Sequence, residues 1–176
     1  MKLCIVSDSH DRADPLLAAA RAARDEGAQA LIHCGDLIGG NTARPLQQLG
    51  LAVHLVHGNN LGDIIALVRI CERSGGLLHY HGGDADLMLG GRRVYATHYP
   101  HQARGMACTG DFDLVCCGHS HEASVTQQDN IRGGRTWLVN PGTVAGLGAP
   151  ATWIFADFDT LNFEIRALPA THASAD

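Results

Sequence analysis

Apolar runs in this chain end again and again in small clusters of Asp, Asn, His and Gly. They are Ser7-Asp8-Ser9-His10, His33-Cys34-Gly35-Asp36, His57-Gly58-Asn59-Asn60, Thr97-His98, Gly118-His119-Ser120-His121 and Asn140-Pro141-Gly142. Carboxylate, imidazole and amide oxygen together suit borderline divalent ions such as Mn²⁺, Fe²⁺, Ni²⁺ or Zn²⁺. Asp8 and His10 stand two apart, as do His119 and His121. In an extended segment each pair shares a face and can address one metal region or two adjacent ones. Glycines directly before Asp36, Asn59 and His119 allow sharp turns and close backbone approach. Eleven histidines in 176 residues are an excess, and randomly placed core histidines would not keep returning to segment ends.

Such clusters converge if the apolar runs are strands, because ligands of open α/β sheets gather beyond the carboxyl ends of the strands. Residues 3–6 predict a buried strand. Asp14-Pro15 then predicts an N-cap followed by proline at the first helical position, opening an Ala/Leu-rich helix that ends at Gly27. Strands are expected at 30–34 and 53–56, a short helix at 45–49, and a helix over 61–73 halted by Gly75-Gly76. The second half reads mostly as strands, at 77–81, 85–89, 92–97, 114–117, 123–127, 136–139, 152–158 and 163–168. Gly90-Gly91 supplies a hairpin turn. No repeat, linker or low-complexity block interrupts the chain. One domain over 1–176 is therefore expected, with a small, polar, frayed tail from about 170. Strand–helix alternation followed by strands predicts an α/β sandwich with more than one sheet.

Composition sets the limits. A chain of 176 residues, 45% apolar and 18% charged, can bury a core without staples. A net charge of -5 with no Lys/Arg cluster argues against non-specific nucleic-acid or membrane-surface binding. It leaves room for a small phosphorylated substrate, since metals supply local positive charge. The six cysteines contain no C-x-x-C pair, and Cys4, Cys34, Cys116 and Cys117 lie in apolar runs, so reduced thiols in the cytoplasm are expected. The apolar stretch before Asp8 is too short for a signal peptide, and no run approaches membrane-spanning length.

The series D-x-H, G-D, G-N, a lone H and G-H-x-H is carried here by Asp8 and His10, Gly35-Asp36, Gly58-Asn59, His98, and Gly118-His119 with His121. In that order it resembles the calcineurin-like metallophosphoesterases. The short length and the Asn140-Pro141-Gly142-Thr143 segment make it most similar to the small YfcE-type phosphodiesterases, over roughly residues 3–144. The resemblance implies a four-layer α-β-β-α sandwich of two mixed sheets. It also implies metal-dependent hydrolysis of phosphoesters, expected to be phosphodiesters, by a metal-bridging hydroxide at a dinuclear site. Asp8, His10 and His121 would bind the first metal, Asn59, His98 and His119 the second, and Asp36 would bridge both. Two divalent ions are implied, manganese first, with nickel, iron or zinc as alternatives. Ions about 3.5–4 Å apart repel by about 17 kcal/mol at an effective dielectric of about 20. Anions must therefore lie between them, and Asp36 and hydroxide are the natural ones. With Asp8 added, about one positive charge remains to attract a phosphate ester.

Two departures from the pattern bear on catalysis. Many relatives carry G-N-H-E or G-N-H-D, whose His serves the leaving group, whereas Asn60 stands here and cannot act as a general acid near neutral pH. Asn60 is instead expected to bind substrate, and Asp63 is the nearest carboxylate. Tyr99 follows His98 where glycine is usual, placing bulk beside the second metal. His101 is then the spare histidine best placed to contact phosphate or leaving group, and joins Asp36 and His98 as a catalytic candidate. Plainer roles compete: Asn59 would cap a helix starting near Leu61, and His98 would be a buried structural residue. Asp11 and Asp14 serve turn and cap, and Asn140-Pro141-Gly142 is a turn whose place at a strand end leaves backbone contact with the site open. His33, His54, His57, His79 and His81 read as core or strand-edge residues. A protein-interaction scaffold on the same fold is the second functional reading, favoured by Asn60 and disfavoured by the full ligand set. A nuclease is disfavoured by the acidic charge. The expected partner is a small phosphoester, with no membrane and with homo-oligomerisation left open.

Overall fold

Residues that fill both faces of a strand with apolar side chains must be covered on both faces, and three early segments do so. These are β1 (Lys2–Val6), β2 (Ala30–Cys34) and β3 (Ala52–Val56). The computed structural model describes residues 1–169, so the tail expected to fray, 170–176, lies outside the described residues. Along β1, Cys4 and Val6 face a helical layer while Leu3 and Ile5 face a second sheet, the two-residue alternation of extended backbone. Each fully buried Leu or Ile of this kind contributes about 1.5–3 kcal/mol.

The first sheet has the order β11-β10-β1-β2-β3-β4, with β4 at Leu78–Tyr80, β10 at Thr152–Asp157 and β11 at Asn162–Ala167. Strands β1 to β4 run parallel, and β10 and β11 add an antiparallel flank. The second sheet has the order β5-β6-β7-β9-β8, with β5 at Asp84–Leu89, β6 at Arg92–Thr97, β7 at Leu114–Cys116, β8 at Ser124–Asp129 and β9 at Arg135–Asn140. Its β6, β7 and β9 are parallel. Ile32, Cys34 and Val56 meet Val94, Leu114 and Val139 between the sheets. Leu16, Ala20 and Ala23 of α1 (Ala13–Asp25), together with Leu67 and Ile70 of α3 (Ile64–Glu72), cover the outer face of the first sheet. Ala103 and Ala107 of α4 (Pro100–Thr109) cover the second against Tyr95 and Val115. The result is a four-layer α-β-β-α sandwich of two mixed sheets, as expected.

Four local expectations change. Helix α1 begins at Ala13 with Arg12 in the cap position and no side-chain cap, so Asp14 is not the N-cap. Pro15 still falls in the first turn, where its missing N–H has no intrahelical partner, and Asp14 lies favourably at the positive end of the helix dipole. A short α2 (Gly40–Ala43) precedes the 3₁₀ turn Arg44–Leu49. Helix α3 starts at Ile64 rather than near Leu61, capped by Asp63, whose carboxylate accepts from Ala66 N (2.9 Å). Asn59 is thereby released from the capping role. Helix α4 was not expected, although its signals are present: proline at its first position and Gly110 in the left-handed conformation after its end.

Candidate metal centre

The parallel strands β1, β2 and β3 of one sheet and β6, β7 and β9 of the other deliver the polar clusters to a common edge. Backbone bonds knit the loops together: Asp8 N donates to Gly35 O (3.0 Å), His10 N to Asp36 O (3.0 Å), Gly118 N to His98 O (3.0 Å) and Val144 N to Ser7 O (2.9 Å). Five of the seven candidate ligands hold a positive φ: Asp8 (54°), His10 (44°), Asp36 (54°), His119 (70°) and His121 (60°). Non-glycine residues rarely adopt this region, and it persists only where surroundings enforce it, typically at functional sites. Gly58 and Gly118 are required by close approach. A Cβ on Gly58 would overlap the Asp36 carboxylate and His98, and one on Gly118 would overlap Ser7 Oγ and lie 2.7 Å from Asp8 Oδ2.

Two groups of donors result. In the first, Asp8, His10 and His121 bring one ligand atom each within 4.8 Å of one another, with His121 Nε2 at 3.2 Å and His10 Nε2 at 3.7 Å from Asp8 Oδ1. In the second, Asn59 Oδ1 lies 3.0 Å from His98 Nε2 and 2.9 Å from His119 Nδ1. Asp36 stands between them, Oδ2 3.7 Å from His10 Nε2 and Oδ1 3.5 Å from His98 Nε2. Asp8 Oδ2 also accepts from His119 N (3.0 Å), tying the two sheets at this point. The ring nitrogens are oriented from behind. His98 Nδ1 donates to Cys34 O (2.9 Å) and His121 Nδ1 to Leu147 O (2.7 Å). A carbonyl can only accept, so Nδ1 carries the hydrogen and the Nε2 lone pair faces the site.

The residues fit a divalent cation. Asp8 and Asp36 are 0% and 2% exposed, and among the described residues the basic groups within ion-pair distance of them are imidazoles alone. Two buried carboxylates without Lys or Arg carry a desolvation penalty of several kcal/mol each, which bound cations offset. His10 Nε2 is buried without a hydrogen-bond partner in the middle of this group. Burial pushes the Asp36 carboxyl up, but donations from the Asn60 backbone and side chain, then His98 and His10, outweigh it and hold the group below its ordinary value. His33, fully buried behind the site and bonded to Ser9 Oγ (2.9 Å), is brought down to about 3, first by burial and then by His98. It stays a neutral neighbour of the centre.

The remaining candidates lie around these donor groups. Asn60 grips Asp36, its N donating to Oδ1 (2.9 Å) and its Nδ2 to Oδ2 (2.5 Å). Its side chain is therefore directed at the central carboxylate as well as lying at the rim. Tyr99 stands against both His98 and His119, ring centroids 5.2 and 5.4 Å away. His101, exposed on the first turn of α4, packs on Tyr99 at 5.6 Å, one ring further from the ligands than Tyr99 itself. Asp63 is occupied as the cap of α3. A cavity of about 470 Å³, lined by Asn59, Leu61, Tyr99, Gln102 and Asp84 among others, opens beside the second donor group.

Two positioning residues were not singled out from sequence. Asn140 Nδ2 donates to Gly118 O (2.9 Å) and to Ser120 Oγ (3.0 Å), holding the loop between His119 and His121. Thr143 Oγ1 donates to Asp8 O (3.0 Å), holding the strained Asp8 backbone. The signal was the polar Asn-Pro-Gly-Thr segment at a strand end, read there as a turn with backbone contact to the site left open.

Comparison with known proteins identifies the family and the fold. The family model described as "Calcineurin-like phosphoesterase superfamily domain" matches residues 1–161. A phosphodiesterase from Methanocaldococcus jannaschii is 27% identical over 175 residues, covering 96% of this chain and 98% of its own. Among solved structures, an archaeal phosphodiesterase aligns at a TM-score of 0.85 with 23% identity, covering 96% of this chain and all of the other (100%). The phosphoesterase YfcE from E. coli aligns at 0.63 with 20% identity, covering 95% of this chain and 99% of its own.

Proposed function

The chain belongs to the calcineurin-like phosphoesterase superfamily and is a phosphoesterase, and from that premise we propose that it hydrolyses small phosphodiesters at a dinuclear metal centre. The observation that carries this reading is the position of Asp36, one carboxylate oxygen facing the His10 group and the other facing His98. Asp8, His10 and His121 would hold one ion, Asn59, His98 and His119 the other, and Asp36 both. When bound, the ions supply a water acidic enough to serve as hydroxide nucleophile at neutral pH and neutralise charge on the phosphoryl oxygens. Manganese is the ion proposed first for this mixed oxygen and nitrogen donor set.

The chain's own groups do the rest. Asn60 keeps Asp36 ionised and aimed, through its two donations. Cys34 O and Leu147 O fix the tautomers of His98 and His121, so each presents a lone pair without reorganising. The cavity beside Asn59 and Tyr99 is the proposed place for the leaving group. His101, packed on the Tyr99 ring that lines this cavity, is the proposed proton donor, since Asn60 has no proton to give near neutral pH. The expected cytoplasmic location is supported by six free cysteines, and no helix among the described residues is long and apolar enough to cross a membrane. The whole chain is read as one domain.

Turnover of bis-p-nitrophenyl phosphate with Mn²⁺ tests the reading against an Asp36→Ala control. The variant is expected to lose kcat/KM by about a hundredfold or more, because both donor groups lose their shared anion. No Mn²⁺-dependent turnover above the control would count against the metal-dependent diesterase and leave the interaction scaffold as the better reading.

A further inference from the structure

Three histidines outside the metal centre share one face at the edge of the first sheet. His54 of β3 pairs in register with His79 of the edge strand β4. His81, two residues on, keeps the same face because its amide still donates to Leu55 O (2.9 Å). The His54 ring centroid lies 5.1 Å from that of His79 and 5.2 Å from that of His81, and the outer two are 6.4 Å apart. His54 Nδ1 and His81 Nε2 face each other at 3.0 Å.

We propose that His54, His79 and His81 form an additional cation site, for a borderline ion such as Zn²⁺, Ni²⁺ or Cu²⁺, that clamps β4 to β3. Imidazole nitrogens bind such ions at about 2.0–2.1 Å, so two neighbouring ligands of one ion stand about 2.9–3.4 Å apart. The 3.0 Å separation of the His54 and His81 nitrogens falls in that interval. Residues i and i+2 of one strand, with a register partner on the next, place three side chains at the corners of a triangle about 5–7 Å on a side. That triangle lets imidazoles converge on one point. His54 and His81 present the facing nitrogens and His79 stacks on His54, so His79 would have to turn about its side-chain bonds to bring a nitrogen to the other two.

Neutral imidazole is the form that binds such an ion. Burial first, then His81 and His79, bring His54 down to about 4, and burial and His79 lower His81. All three rings can carry their hydrogen on the remote nitrogen, so the ion takes the place of one shared N–H···N hydrogen and no net proton is released. The trio belongs to a different part of β3 from the centre described above, since His54 precedes the strand end that leads to Asn59.

Equilibrium dialysis of the full chain against Zn²⁺, with metal content measured per chain, tests the proposal. The His54→Ala/His81→Ala chain is expected to hold one equivalent fewer than wild type, while Mn²⁺-dependent diester turnover stays within about twofold. The single variant His81→Phe keeps the ring packing and is expected to weaken the same equivalent by about tenfold or more, which separates ligation from stacking. Equal stoichiometry in wild type and the double variant would overturn the proposal. So would a His81→Phe chain that binds as tightly as wild type.

Discussion

At the scale of single residues the centre depends on groups that have no other reason to be where they are. Asp36 is buried, left-handed in backbone, and held on both oxygens by Asn60. The asparagine that removes a familiar proton donor thus also fixes the central carboxylate. On the proposed reading, proton delivery to the leaving group falls to His101, exposed beside Tyr99. General acids contribute about 10²–10⁴-fold where the leaving group needs a proton and little where it does not. The variant His101→Ala is therefore expected to slow alkyl phosphodiesters by at least about tenfold while p-nitrophenyl esters change by less than about twofold. Paired kcat/KM measurements on the two ester classes check this, and an equal loss on both would remove the proton-donor role.

At the scale of elements the loops work because strand ends approach one another closely. Gly118 carries that approach: a methyl there would displace Ser7 and Asp8 together. Overpacking of this kind typically costs about 1–3 kcal/mol, or about 2–10 °C in Tm for a chain of this length. Gly118→Ala is expected to show that loss by thermal unfolding together with a kcat/KM at least about tenfold lower. A variant with unchanged Tm and activity would mean the loop has room to spare. The β3–β4 edge gives a pH prediction. The unfolded chain protonates His54 near 6.5, while the folded chain resists until about 4. On acidification through that window the unfolded state binds more protons, so stability falls between about pH 6.5 and 4, and this group adds no further slope below it. Urea midpoints at pH 7, 5.5 and 4, with a chelator present, should fall less steeply in His54→Gln than in wild type, and parallel slopes would contradict the assignment. Strand positions were legible in the sequence because buried apolar runs of four to six residues flanked by Gly, Asp and His admit few alternatives. Helix α4 was not, because Pro100 and Gly110 bracket a segment with only two buried residues, Ala103 and Ala107, too thin a stripe to announce itself. Side-chain duties such as Asp63 capping α3, Asn60 holding Asp36 and Asn140 holding Gly118 depend on contacts between distant loops, which spacing alone does not encode.

At the scale of the whole molecule two sheets bury their parallel strands against each other so that six loops meet at one edge, three from each sheet. An acidic chain of net charge -5 then gathers its buried carboxylates where, among the described residues, the basic groups within ion-pair distance are imidazoles. On the proposed reading a locally positive site for an anionic ester would come from bound cations rather than from Lys or Arg. The same layering explains why a four-layer sandwich could be expected from the order of motifs while the path of each loop could not. The most direct test is anomalous diffraction from crystals grown with Mn²⁺. Two peaks are predicted about 3.5–4 Å apart, one against Asp8, His10 and His121, the other against Asn59, His98 and His119, with the Asp36 carboxylate touching both. A single peak, or two peaks of which either lies away from Asp36, would contradict the bridged centre.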